Sequence, residues 1–248
     1  MASTAEGREL TEAHKLAQIG IGARAAAEAS ILWNRLDIND LDGSTPYWLA
    51  SNVRAVNQRM AQSQSMAGAY LNDYRQAEIG LAATVVLAAP TGTPDALRLS
   101  GPVRIKRLIA GGMGAAEAYD GAFTKFAGMV RRQSMMGGRL TIARTVQRDR
   151  RAIGWRRVTD GNPCAFCAML ASRGPVYKDA AAADGLMYHG HCGCTAEPEY
   201  SNAWTPTADE ERYLQAYTDA RYAEPNRDTS EVLKAMRRSG LFRDSPRT

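Results

Sequence analysis

Apolar residues recur three to four positions apart between residues 10 and 36. Leu16, Ile19, Ala23, Ala27 and Ile31 form a stripe with acidic or polar residues between them, and that period predicts a helix. Residues 37–44 are rich in Asp, Asn and Gly and predict a turn. A second, narrower stripe of Val53, Val56, Met60, Ala67, Tyr70, Leu71 and Tyr74 predicts a long helix over 46–75, shaped for helix-on-helix packing. The apolar run 81–89 is β-branched at Thr84, Val85 and Val86 and leads into Pro90, Gly92 and Pro94; it fits either the end of that helix or a buried strand. Helical pattern resumes over 103–132, breaks at the glycines of 135–138, and returns as a short helix from 140 to about 151.

At Ile153 the pattern changes. Residues 153–200 are rich in Gly, Pro, Cys and His, with β-like pieces at 154–158, 175–177 and 195–200 and a helical turn between Cys167 and Arg173. After Pro206, Thr207 is placed to cap a helix whose first turn carries Asp209, Glu210 and Glu211, with Tyr213, Leu214 and Tyr217 on one face and Pro225 at its end. A last helix over 230–239 closes at Gly240, and the final residues read as loose. The expected fold is mainly α with a small α+β zinc-knuckle module. It divides into a domain of long helices over 1–152, a compact Cys/His-rich module over 153–205, and C-terminal helices with a tail over 206–248.

Composition changes this picture little: 45% apolar and 23% charged residues are ordinary for a globular chain of 248 residues. No run of about 18 apolar residues exists to span a membrane, and the start has neither a basic nor an apolar leader region, so synthesis in the cytoplasm is expected. The net charge of +5 permits contact with nucleic acid without demanding it. Arg104, Lys106 and Arg107 form the first cluster that could touch phosphates, with Arg131–Arg132 and Arg148–Arg151 as further candidates; solvated helix faces are the plainer reading of all three. Met129, Met135 and Met136 read as core filler and His14 as a solvated helix residue.

The cysteines matter more. All four lie within 31 residues, at 164, 167, 192 and 194, with His189 and His191 in the same window. Cys164-x-x-Cys167, then 21 residues, then His189-x-x-Cys192-x-Cys194 supplies soft donors from two tight turns, the arrangement of a zinc knuckle. Cys164 and Cys167 are the firmest ligands and His189 and Cys192 the next, with His191 or Cys194 able to replace either. A disulfide framework and reduced or redox-active thiols are the alternatives. A module of about 50 residues is short of core, a physical reason for a metal staple. A thioredoxin-like reading fails because Arg173-Gly174-Pro175 follows Cys167 too soon for the long helix that fold needs. A nuclease site built on Asp160 and His191 is conceivable, whereas no Gly-x-Ser-x-Gly elbow is present.

The pattern Trp155, Asp160-Gly161-x-Pro163-Cys164-x-x-Cys167, Gly174-Pro175, His189-x-x-Cys192-x-Cys194 and Pro198 resembles the C-terminal signature of Mu F-like minor head proteins of tailed bacteriophages, in the form carried by actinobacteriophages. The likeness is specific over residues 153–200 and general elsewhere. It implies a head-morphogenesis protein inside the capsid near the portal, with portal or major capsid protein as partners, contact with packaged double-stranded DNA, and neither a membrane nor a small-molecule substrate. It implies metal ligation by Cys164, Cys167, His189, Cys192 and Cys194, with His191 extra to the pattern. Some family members are called capsid maturation proteases, but no catalytic arrangement is visible in this sequence. Others append a toxin or ADP-ribosyltransferase domain, for which the 48 residues after Tyr200 are too few, so a structural role is expected rather than an enzyme.

Overall fold

The computed structural model describes residues 2–178, 188–226 and 228–243. Three long helices form the frame: α1 (Ala5–Trp33), α2 (Leu41–Ile79) and α5 (Ala115–Arg148) pack against one another. Two short helices, α3 (Thr93–Ser100) and α4 (Pro102–Ala110), cover one end. The Cys/His-rich region adds β1 (Gly154–Val158), α6 (Ala165–Ala171) and β2 (Thr195–Glu199), followed by α7 (Ala208–Ala223) and α8 (Thr229–Arg238). No helix among the described residues is long and apolar enough to cross a membrane.

The period of α1 is as expected but its orientation is the reverse. Leu16 and Ile31 are 58% and 71% exposed, and the packed face carries Gly7, Thr11, His14, Gln18, Ile21, Gly22, Ala25, Ala29 and Trp33. The reason is close approach: small residues bring the helices near, and polar ones find partners across the gap. His14, expected in solvent, is buried and stacked on Tyr70 at 4.4 Å, while Thr11 meets the Tyr70 hydroxyl at 2.9 Å. The Ser63 hydroxyl donates to Gln18 Oε1 at 2.6 Å and accepts the Gly138 amide at 2.8 Å.

That last contact explains why α5 runs through residues 135–138, where a break is expected from the glycines. A Cβ on Gly137 would lie 2.5 Å from the Met60 carbonyl oxygen, and one on Gly138 would lie 2.7 Å from Ser63 Oγ. The two glycines let α5 touch the backbone of α2, at a helix-propensity cost of about 1 kcal/mol each. The true interruption of the expected 103–132 helix is at Gly111 and Gly112, the latter at φ 92°. The helix expected to start at 46 begins at Leu41, capped by Asp40, so residues 41–44 are helix and not turn, and Gly80 at φ 71° ends it.

Residues 81–90 are neither helix nor strand. They form an extended strap along α5: the Val86 amide donates to Thr145 Oγ1 at 2.9 Å and the Ala88 amide to Thr141 Oγ1 at 3.2 Å. One helical turn, about 5.4 Å, nearly matches the two-residue repeat of an extended chain, about 6.6 Å, so two threonines four apart can hold alternate amides.

Two buried clusters organise the molecule. At the α3–α4 end, Trp33, Trp48 and Phe126 interlock at 4.8–5.9 Å over Leu97 and Ile105. The other cluster runs without interruption from Tyr70, Tyr74 and Ile142 through Trp155, Cys167 and Tyr177 to Tyr213, Val232 and Met236. It carries the apolar burial that seats the Cys/His-rich region on the helical frame.

Candidate metal centre

β1 and β2 pair antiparallel with Arg156 opposite Glu197. The segment expected as a third strand, 175–177, contributes a single bridge, Tyr177 to Trp155. Alternation along β1 sends its two arginines to opposite sides. Arg156 forms a buried ion triad with Glu197 at 2.8 Å and Glu210 at 2.5 Å; Glu210 also closes the capping box that starts α7 at Thr207. Arg157 faces the sulfurs.

After β1 the chain turns at Gly161, φ 86°, and Cys164 becomes the N-cap of α6, with Cys167 in its first turn. The second donor turn, residues 189–194, lies across it. Asp160 fastens the two turns together, accepting the Gly193 amide at 3.1 Å and Arg243 at 2.9 Å. A Cβ on Gly193 would sit 2.3 Å from that carboxylate, so a side chain there would push Asp160 off the turn.

The donors converge. Cys164 Sγ lies 3.0 Å from His189 Nε2, Cys167 Sγ lies 3.4 Å from the same nitrogen, and Cys167 Sγ lies 3.6 Å from Cys192 Sγ. Cys164, Cys167 and His189 form one group of donor atoms within 4.8 Å, and Cys167, Cys192 and Cys194 form another, with Cys167 common to both. Ligands on a tetrahedral zinc lie about 3.4–3.8 Å apart, from bonds of about 2.0–2.3 Å. The set is therefore nearly drawn in, and these Cys/His groups could hold a metal ion. The four thiols are free and buried, with no disulfide among them.

The electrostatics divide the four sulfurs into two whose pKa is lowered and two whose pKa is raised. The Cys164 thiol is drawn down to about 3 by hydrogen bonding with Cys167 and then His189, against burial that raises it. Cys192 is lowered through Cys167 and Cys194, which are themselves raised. Burial disfavours the His189 cation, but Cys164 and the nearby sulfurs hold its pKa above the ordinary value. His189 Nδ1 donates to the Gly190 carbonyl at 2.6 Å, which turns Nε2 toward the sulfurs.

His191 does not join them. It adopts φ 61°, donates from Nε2 to the Thr124 carbonyl at 2.8 Å, and lays its ring on Gly128, where a Cβ would come within 2.5 Å. Gly128, inside α5, is thus a docking point for the second donor turn. Asp160 is bonded to the Gly193 amide and Arg243, and His191 to the Thr124 carbonyl.

Sequence reading missed the layer behind the donors. The Tyr188 ring lies between the guanidinium groups of Arg139 and Arg157, each 4.1 Å from its centroid. Arg157 Nη1 reaches Cys167 Sγ at 3.9 Å and Cys192 Sγ at 4.0 Å. Arg139 donates to the carbonyls of Cys192 and Cys194 at 2.7–2.9 Å. Both arginines are almost fully buried, and a short chain of polar residues seen only as helix and strand text offers no signal for such a stack.

The candidate phosphate-binding residues sit far from this centre in sequence, on α4. Ile105 between them is buried, Lys106 pairs with Asp42 at 2.5 Å, Arg107 is exposed, and Arg104 lies close enough to Lys125 to contribute, after burial, to lowering its pKa.

Comparison with known proteins agrees with a phage origin for this architecture. The chain is 27% identical over 172 residues to the "Gene 15 protein" of Mycobacterium phage D29, an alignment covering 51% of this chain and 62% of that relative. The chain thus spans under two thirds of the length of the curated relative it matches. No solved structure matches. The family described as "VG15 protein" matches residues 2–220, nearly the whole chain and all of the donor cluster, and the protein belongs to that family of phage proteins.

Proposed function

We propose that the protein is a structural, non-enzymatic component of the phage head, a minor head-morphogenesis protein of the Mu F-like type, whose C-terminal half is held by one zinc ion. Two overlapping donor groups that share Cys167, one with Cys164 and His189 and one with Cys192 and Cys194, carry this reading. Cys192 is the preferred fourth ligand because its sulfur lies 3.6 Å from Cys167 and beside the Arg157 guanidinium, with Cys194 the neighbouring candidate. Three thiolates, one neutral imidazole and Zn²⁺ sum to a single negative charge, which Arg157 is placed to offset.

Closed four-ligand zinc leaves no position for substrate and supplies folding free energy of order 10 kcal/mol. That matches the layout: the metal would fasten the turn before α6 to the turn before β2, and both to α5 through Gly128, Arg132 and Arg139. The long helices then present surface to a portal or capsid neighbour, with Arg104 and Arg107 available to packaged DNA; this location inside the virion follows the resemblance over residues 153–200.

The reading is tested on purified virions and purified protein. Quantitative mass spectrometry of particles should find the chain at a few copies, and elemental analysis of the native protein should find one zinc per chain. Absence from the particle would overturn the head assignment, and cleavage of DNA or capsid protein that depends on the metal would overturn the non-enzymatic role.

A further inference from the structure

A groove of about 540 Å³ opens between α1 and α2, lined by residues of those two helices and by Arg35 just past the end of α1. On the α2 side it follows one helix face, Tyr47, Ser51, Arg54 and Gln58, for about 17 Å or three turns. Its walls are apolar: Ile31, 71% exposed, and Tyr47, 67% exposed, flank Leu32 and Ala50. Ile31 and Tyr47 do not serve the core, which Trp33 and Trp48 fill from the same two turns. Apolar side chains gathered on a concave surface mark a place where another molecule sits. The charge of the groove is one-sided. Glu28 is taken up by Arg59, which grips both carboxylate oxygens. Arg35 and Arg54 have no carboxylate partner among the described residues. Arg35 lies over the Tyr47 ring, 5.6 Å from its centroid, and reaches the Ser51 hydroxyl at 3.4 Å, so its guanidinium is held against the groove wall.

We propose that this groove docks an acidic amphipathic helix of a partner protein, with apolar residues against Ile31, Leu32, Tyr47 and Ala50 and carboxylates beside them for Arg35 and Arg54. Shape and charge both select this occupant. Two neighbouring helices leave a straight furrow in which a third helix can lie, its anchors repeating every three to four residues. Guanidinium groups without a counter-ion pair well with carboxylates, which each can grip at two points. A basic helix would set charge against charge at both arginines. Nucleic acid would leave Ile31 and Tyr47 in water, because a phosphate backbone has no apolar face to cover them. The apolar walls thus supply affinity, while Arg35 and Arg54 select the partner. No cysteine lies on α1 or α2, so the proposal stands apart from the metal reading.

Fluorescence anisotropy of the full-length protein with three labelled helical peptides, each about four turns long, tests it. The first carries leucines at i, i+3, i+4 and i+7 with glutamates beside them; the second has lysine for each glutamate, and the third glutamine for each leucine. The first should bind at least about tenfold more tightly than the other two, and less tightly as salt is raised. Arg35→Glu combined with Arg54→Glu should reverse the order of the first two peptides. Ile31→Gln should weaken the first, whereas Leu16→Gln, on exposed surface elsewhere on α1, should not. All these positions are at the surface, so thermal midpoints should stay unchanged. An acidic peptide that binds no better than the basic one, or equally well to Ile31→Gln, overturns the proposal. So does tighter binding of dodecanoate that displaces the peptide, or self-association in sedimentation velocity that Ile31→Gln abolishes, since an aliphatic anion or a second copy would then fill the groove.

Discussion

Arg157 shows how one side chain makes a sulfur cluster hold its charge. It lies against Cys167 and Cys192 with no exposed surface, and Tyr188 and the sulfurs keep it protonated against the cost of burial. Burial pushes the Tyr188 hydroxyl up to about 12, while the two stacked guanidinium groups pull it the other way. Replacing Arg157 with Met keeps the volume and removes the charge, so zinc affinity measured by chelator competition should fall about 10- to 100-fold, as for other residues behind a metal's ligands. Arg157→Lys should recover part of it. Unchanged affinity in Arg157→Met would show that the guanidinium has no electrostatic role at the centre.

A second single-residue consequence lies in the helical frame. Burial against Tyr70 lowers His14 to about 4, from an ordinary 6.5. The folded state therefore keeps His14 neutral where the unfolded chain would protonate it. The penalty is absent above about pH 6.5, grows as pH falls toward 4, and reaches up to about 3 kcal/mol. Denaturant midpoints for His14→Phe, which preserves the stacking on Tyr70, should fall less steeply between pH 6.5 and 4 than those of the wild type. Parallel pH profiles for the two proteins would refute this assignment.

At the scale of elements, helix period and helix caps were legible and helix faces were not. Thr207 with Glu210 and Gly240 at φ 74° mark the ends of α7 and α8 as expected from side-chain capping and left-handed glycine. β1 and β2 fall on the expected stretches. The face of α1 was misassigned because an Ala-rich helix carries apolar residues all round, so hydrophobicity does not sort its sides. Packing there depends on Gly7, Gly22, Gln18 and Ser63, whose fitness for the interior appears only when α2 and α5 are in place. Gly128, Gly137 and Gly138 follow the same logic: glycine in a helix reads as a break until a neighbouring backbone is found against it. The strap belongs to this scale too. Thr141→Val with Thr145→Val removes both acceptors and leaves two amides unbonded, so limited proteolysis should cut within residues 81–94 much faster, with a loss of about 1 kcal/mol per bond. Resistance equal to that of the wild type would mean the threonines do not hold the strap.

Across the whole molecule, the Cys/His-rich region is joined to the frame by a continuous core and by the polar contacts of Tyr74 with Pro198 and Arg139 with the second donor turn. The donor cluster itself was readable because cysteine and histidine spacing reports chemistry directly. Its supports were hidden because Arg132 and Arg139 on α5 meet Tyr188 and Cys192 more than 50 residues further along the chain. Stripping the metal should therefore loosen more than the knuckle: the unfolding midpoint of chelator-treated protein should drop, and tyrosine and tryptophan environments at Tyr188 and Trp155 should relax together while the Trp33–Trp48 end keeps its structure. A metal-free protein with the same midpoint would leave the cluster without a stabilising role.

X-ray absorption at the zinc edge of the native, unsupplemented protein addresses the central claim most directly. Three sulfurs near 2.3 Å and one nitrogen near 2.0 Å from a single zinc are expected, with the nitrogen shell lost in His189→Ala. An oxygen-rich shell, or native protein without zinc, would contradict the account.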